Sequence, residues 1–236
     1  VTQAPGNSDR FVIAVDGPSG TGKSTVSRKV AAALNAGYLD TGAMYRIVTL
    51  AVLNAGIDPA DEVGVANLLP SLMFASPVDP AEQVHTLAGE DVGRSIRSVH
   101  VTTAVSEVSA NPAVREWLKE RQQQLAGAGR MVVEGRDIGT VIAPDAALKI
   151  YLTASEEVRA SRRYKEVGAA GRTPDLAVVR AAIAHRDNYD SNRLHAPLQA
   201  AADAIVIDST DLDIAQSVEA VLVLAAQRGI RWDGIR

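Results

Sequence analysis

The chain has 236 residues, a formal net charge of −4, 47% hydrophobic and 22% charged residues, a composition that fits a soluble one-core domain with room for a modest insert and excludes a disordered or repeat architecture. The acidic balance argues against broad adhesion to nucleic acid or to a membrane surface, both of which need a dominant basic face. Cysteine is absent, which excludes disulfides, thiolate metal sites and cysteine nucleophiles and fits a cytoplasmic location, and no apolar run reaches the roughly 18 to 20 residues of a membrane span.

Val1 to Asp9 mixes Pro, Gly, Asn and Ser without a basic cluster or an apolar core, so residues 1–10 are expected to form a flexible lead-in and not a signal peptide or anchor. Phe11 to Val15 is a continuous apolar run ended by Asp16-Gly17-Pro18, the pattern of a strand buried on both faces. Val26, Val30, Ala33 and Leu34 then recur at helical spacing from Lys23, and the pattern stops at Asn35 to Gly37. Tyr38 to Asp40 reads as a second strand, and Met44, Ile47, Val48, Ala51 and Val52 mark a helix closed by Gly56.

Between about Pro70 and Ile96 the pattern changes. Short β-like pieces such as Gln83 to Leu87 surround Pro77, Pro80 and Ala88-Gly89-Glu90, which predicts a small antiparallel insert. Helical sequence returns near Val99, and Asn111-Pro112 supplies an N-cap and a first helical residue for a segment through Leu125. Three further core strands are predicted at Met131 to Glu134, Leu148 to Leu152 and Ala204 to Asp208. Thr153 with Glu156 forms a capping-box pattern, Thr173-Pro174 opens another helix, and a last helix runs from about Asp211 to Arg228 with Gly229 as its stop. Strands alternating with helices predict an α/β fold with a five-stranded parallel sheet covered on both faces.

Gly17-Pro18-Ser19-Gly20-Thr21-Gly22-Lys23-Ser24 satisfies G-x-x-x-x-G-K-[ST] at every specified position, between a predicted strand and a predicted helix. The glycines let backbone N–H groups wrap a phosphate, the helix N-terminus adds its positive dipole end, and Lys23 brings a mobile charge to the β- and γ-phosphates. Ser24 is placed to ligate Mg²⁺, and Thr25 to hydrogen-bond a neighbouring phosphate. Other chemistries lack support. Thr25 stands where a dinucleotide fingerprint needs its third glycine, no H-E-x-x-H or G-x-S-x-G occurs, the four histidines are scattered, and no Asn-Lys pair offers the guanine reader of a GTPase.

Asp40-Thr41-Gly42-Ala43-Met44-Tyr45-Arg46, Gly135-Arg136-Asp137 and Arg186-Asp187-Asn188-Tyr189-Asp190-Ser191-Asn192-Arg193, together with Asp16-Gly17-Pro18-Ser19-Gly20, closely resemble bacterial cytidylate kinase. The resemblance covers about Phe11 to Gly229. It implies a P-loop CORE domain formed by residues 11–40 and 131–230 with a helical lid at about 159–175, and an NMP-binding region at 41–130 that includes a β insert at about 63–100. It also implies that ATP is the donor, that CMP and dCMP are the acceptors, and that Arg46, Arg136 and Arg193 bind the acceptor phosphate, a task suited to permanently charged, bidentate guanidinium groups.

By the same resemblance Thr41, Ser106, Arg115 and Asp137 read the cytosine ring, while Arg186 and Asp190 hold the sugar. Arg159, Arg162 and Arg163 resemble the cationic face of a mobile lid, Arg159 on the ATP side and the other two acting with Lys23, Arg136 and Arg193 on the moving phosphoryl group. Gly168 and Gly171 would serve as hinges before Arg172. Glu134 closes its strand where the family often carries Asp, and its longer side chain sets the carboxylate differently, so Ser24 is the expected metal ligand. A monomer with no nucleic-acid or membrane partner is expected. A kinase of the same fold for UMP or a hydroxy acid, and an ATP-dependent switch protein, are the alternatives that the P-loop leaves open.

Overall fold

The structure, a computed structural model, describes residues 10–169 and 175–231. Its centre is a five-stranded parallel sheet. β1 (Phe11–Asp16) lies in the middle with β6 (Arg130–Glu134) on one side and β7 (Leu148–Thr153) on the other, while β2 (Gly37–Asp40) and β8 (Ile205–Asp208) form the edges, in the order β2-β6-β1-β7-β8. The two sides of the sheet are apolar by alternation. Ile13, Val15, Val132, Leu148, Ile150 and Leu152 face one core with α1 (Lys23–Ala33) and α8 (Ile214–Gln227). Ala14, Leu39, Met131 and Val133 face the other, closed by α2 (Thr41–Asn54), α4 (Val99–Ala110) and α5 (Pro112–Ala126).

The helices begin where polar side chains meet their free N–H groups. Asp40 accepts from Ala43 at 2.9 Å and Asn111 accepts from Ala113 at 2.9 Å with Pro112 in the first turn, as its sequence predicts. The last helix carries a full capping box between Asp213 and Gln216.

The sequence expectations need correction in four places. Thr153 does not open a capping box: it ends β7, and α6 (Glu156–Ala169) is capped by Ser155, whose hydroxyl accepts from Val158 at 3.3 Å. The helix α3 (Glu62–Leu68), capped by Asp61, went unread because its seven residues are too short for a periodic signal. The insert is a three-stranded antiparallel sheet, as expected, but its strands are only two residues each, β3 (Phe74–Ala75), β4 (Thr86–Leu87) and β5 (Glu90–Asp91), so Gln83 to His85 are not strand. Thr173 and Pro174 lie outside the described residues, and α7 (Leu176–Asn192) takes its N-cap from Asp175.

Parallel registry sets the site. Val15 and Asp40 both pair with Glu134, and Asp16 pairs with Tyr151, so the C-terminal ends of three adjacent strands, and the loops that leave them, share one edge. At the first of these loops Gly17 has φ +145°, and a Cβ there would stand 2.0 Å from the Leu152 carbonyl oxygen. Gly17→Ala should therefore destabilise the fold by about 2 to 5 kcal/mol through backbone strain and overpacking. An unchanged calorimetric midpoint would show that β7 yields at this contact.

Candidate active site

The loop from Gly17 to Gly22 turns on glycines in left-handed conformation, with φ +80° at Gly20 and +88° at Gly22. Gly22 is the N-cap of α1 and offers no side chain, so the first N–H groups of this helix are uncapped, which leaves an anion cradle. Lys23 folds back over the loop. Its Nζ donates to the Pro18 carbonyl at 2.6 Å and approaches Thr21 Oγ1 at 3.4 Å. Burial, and then the neighbouring Arg136, push the Lys23 ammonium well below the usual lysine range, while Glu134 opposes them. A cation held this way lacks negative charge, which phosphate oxygens would supply.

Glu134, at the end of β6, lines the same cavity as Lys23. Tyr38 donates to its Oε1 at 2.8 Å, and the Thr41 hydroxyl donates to its backbone carbonyl at 2.6 Å. Its Oε2 is buried and has no hydrogen-bond partner among the described residues. Burial, and then Asp40, raise the carboxyl above the ordinary range, while Lys23 and the Ser24 and Tyr38 hydroxyls counter this. The oxygen donors of Ser24 and Glu134 suit a hard cation such as Mg²⁺, which keeps most of its waters and takes the rest of its shell from phosphates. Among the described residues no group of three or more acidic or histidine side chains forms an all-protein metal cage.

The pocket beside the loop is built from two carboxylates, each between two guanidinium groups. Asp137 is in close contact with Arg115 Nη2 and lies 3.9 Å from Arg193 Nη2. Asp190 accepts from Arg136 Nε at 3.1 Å and lies 3.8 Å from Arg186 Nε. Thr41, Gly42, Tyr45 and Ser109 complete the wall of this pocket. Arg46 is anchored by the insert, donating to the Ile96 carbonyl and to Thr102 Oγ1 at 3.0 Å each. Burial lowers Arg46 to about 9 and Arg186 to about 10, with Arg186 and Arg136 respectively the next causes. Arg193 is lowered by burial and by Arg115. Burial is the largest cause of each shift and neighbouring arginines add to it, a cost that a dianionic phosphate would relieve.

The two halves open on one cavity. Lys23, Arg46, Arg97, Arg136, Arg163 and Arg186 line it together with the loop, against the carboxylates of Asp40, Glu134 and Glu166. The three α6 arginines divide among different tasks. Arg159 donates to the Ser19 and Ala154 carbonyls at 3.1 Å each. Arg162 is occupied by the carbonyls of Thr21, Ser209 and Leu212 and by the Ser209 hydroxyl at 2.7 to 3.2 Å, and only Arg163, paired with Glu166 at 2.8 Å, lines the cavity. Gly168 is described, whereas Gly171 and Arg172 lie outside the described residues.

Of the expected site residues, Ser19 to Thr25, Arg46, Arg136, Arg163 and Arg186 line the cavity and Thr41, Arg115, Asp137, Asp190 and Arg193 line the adjoining pocket, whereas Gly17, Pro18, Arg159 and Arg162 line neither, and nor does Ser106. That residue is buried in α4 without lining the pocket, where Val105 and Ser109 stand instead. A helix period places positions 105 and 109 on one face, a signal that would have found Ser109. Sequence reading also gave no role to Tyr38, Arg97 and Asp16. Asp16 Oδ1 and Oδ2 accept from Ile138 and Gly139 at 2.9 and 2.8 Å, fixing the wide helical turn of Ile138–Ile142 that follows Asp137.

A sheet of this order, with a phosphate loop after its central strand and an arginine-lined cleft beside it, suits the handling of two phosphate-bearing ligands at one place. The family model for cytidylate kinase matches residues 13–227. Relatives include the cytidylate kinase of Rhodococcus opacus (strain B4), 52% identical over 92% of this chain and 96% of its own length. That of Corynebacterium efficiens is 55% identical over 85% and 87%. The chain belongs to the cytidylate kinase family. An uncharacterised protein from Eubacterium ventriosum has a solved structure that matches with a TM-score of 0.51 at 10% identity, covering 92% of this chain and 99% of that one, a likeness of fold alone.

Burial pushes the Asp16 carboxyl up to about 6 despite its two N–H partners, and Asp137 adds to the rise. Because the folded value exceeds the ordinary one, folding favours the protonated form. The stabilising contribution is full below about pH 4 and is lost as pH rises through about 6. Asp16→Asn, which cannot titrate, should gain on the native chain by up to about 3 kcal/mol between pH 4 and pH 7 in paired urea melts. A difference that is flat across that window would show the carboxylate to be ionised throughout.

Proposed function

We propose that the chain transfers the γ-phosphoryl group of ATP directly to CMP, and to dCMP, giving ADP and CDP or dCDP, with both nucleotides bound and no phosphoenzyme. One observation carries the reading: the glycine loop with Lys23 and the guanidinium groups of Arg46, Arg136 and Arg186 line the same cavity. Two polyanions can be drawn together there because the cations that offset their repulsion are already in place.

Each residue has a task that its position supports. The N–H groups at the start of α1 take the β-phosphate of ATP, and Lys23 reaches between β and γ. Arg46, Arg136 and Arg193 hold the acceptor phosphate, whose oxygen is ionised near neutral pH and needs no strong base. Asp137, fixed by Arg115, and the Thr41 hydroxyl face the exocyclic amino group of cytosine, where uracil presents a carbonyl. Asp190 and Arg186, an ion pair on α7, hold the sugar. Mg²⁺, when bound, neutralises charge on the donor phosphates, and Ser24, with Glu134 acting through water, would hold it. Residues 41–130 form the NMP-binding region, and a lid at about 159–175, of which 170–174 lie outside the described residues, belongs to the CORE formed by 11–40 and 131–230. A monomer in the cytoplasm, without a nucleic-acid partner, rests on composition. Among the described residues no helix is long and apolar enough to cross a membrane.

An ADP-release assay with CMP, dCMP, UMP and AMP should show CMP and dCMP far ahead. In Asp137→Ala the preference for CMP over UMP should shrink by about ten- to a hundredfold, the scale of one lost buried polar contact. Equal rates on all four acceptors, or ATP hydrolysis that ignores them, would remove the base-reading role and the kinase reading respectively.

The α6 arginines should separate in the same assay. Arg163→Ala, at the cavity wall, should lower kcat by about 10²-fold or more with little change in melting temperature. Arg162→Ala should also lower the melting temperature, because three carbonyls lose their donor. Identical behaviour of the two would mean that Arg162 leaves its carbonyls during turnover.

A further inference from the structure

The mechanism above uses Arg186 and Asp190 of α7 and gives no task to Asp187 between them. A helix advances about 100° per residue, so when Arg186 and Asp190, four apart, face the acceptor pocket, Asp187 faces elsewhere. It meets the donor loop. Asp187 Oδ1 accepts from the Ser19 backbone N–H at 3.0 Å, and Oδ2 is in close contact with Arg159 Nη1. Arg159 Nη1 also donates to the Ser19 carbonyl at 3.1 Å, and its Nε donates to the Ala154 carbonyl at 3.1 Å.

The Ser19 residue is therefore held at both its N–H and its carbonyl by two side chains that also hold each other. The next residue, Gly20, approaches α6 so closely that a Cβ would lie 2.9 Å from the Arg159 carbonyl oxygen. The phosphate-binding N–H groups that follow depend on where this peptide sits. Asp187 and Arg159 are both largely buried, with side chains 16% and 11% exposed, so the pair is shielded from the solvent screening that weakens surface ion pairs. We infer that Asp187 is a positioning residue for the donor loop, fastening the Ser19 peptide and Arg159 to the helix that carries the acceptor's ligands. It lines neither the cytosine pocket nor the cavity, and the cavity-wall residue it holds is Ser19 of the donor loop, so its effect should fall on ATP.

This inference rests on the kinase reading, which CDP formation by the native chain tests first and separately. Calorimetric titration of a non-hydrolysable ATP analogue and of CMP, each alone, into native, Asp187→Ala and Asp187→Asn proteins then tests it. Asp187→Ala should bind the analogue about tenfold more weakly while the CMP dissociation constant stays within about twofold of native, a single-site loss of the usual size for a charge-assisted contact. Asp187→Asn keeps an acceptor for the Ser19 N–H and gives up the charge facing Arg159, so its analogue affinity should fall between the other two. Steady-state kinetics should show the same split, with the KM for ATP raised and the KM for CMP nearly constant. Native affinity for the analogue in Asp187→Ala, or equal weakening of both ligands with a lowered melting temperature, would overturn the proposal, the latter by showing a merely structural role.

Discussion

An excess of cations over carboxylates lines this site. Lys23, Arg46, Arg186 and Arg193 all sit below their ordinary pKa ranges, with burial as the largest cause in each. Such groups cost free energy to bury, and their partial compensation by Asp137, Asp190, Asp40 and Glu134 is what the fold has to arrange. The same imbalance suits the cleft to phosphates.

The parallel sheet is the means of arranging it. Asp16, Asp40 and Glu134 end three neighbouring strands, Asp16 one residue beyond the partner of Glu134, and each does different work. Asp16 fixes the turn after Asp137, Asp40 starts α2, and Glu134 faces Lys23 with one oxygen left over. The arginines arrive from the other side, on α2, on α5, on α7 and its C-cap, and on the loop after β6. The insert contributes as well, since its Ile96 carbonyl and the Thr102 hydroxyl after it hold Arg46. A strand-only or helix-only scaffold would not place these donors around one point.

Helix α7 faces two parts of the site. Its four-residue spacing presents Arg186 and Asp190 to the pocket beside Asp137, while Asp187 reaches the phosphate loop. Geometry of this kind gives the pocket and the loop one rigid reference.

The sequence by itself determined the strand, glycine loop and helix of the phosphate cradle, the five core strands, the position of the insert, and the arginines and aspartates gathered at the site. These were legible because they are carried by local spacing or by contiguous motifs. Only the tertiary structure decided that Asp16 fixes the turn beyond Asp137, 122 residues away in the chain, that Ser109 rather than Ser106 lines the pocket, and that Arg162 serves carbonyls while its neighbour Arg163 faces the cavity. The short helix Glu62–Leu68 and the two-residue strands of the insert also awaited it. The reason is physical: which partner a buried polar group finds depends on how separate segments pack, and pairings over such distances leave no periodic trace in the chain.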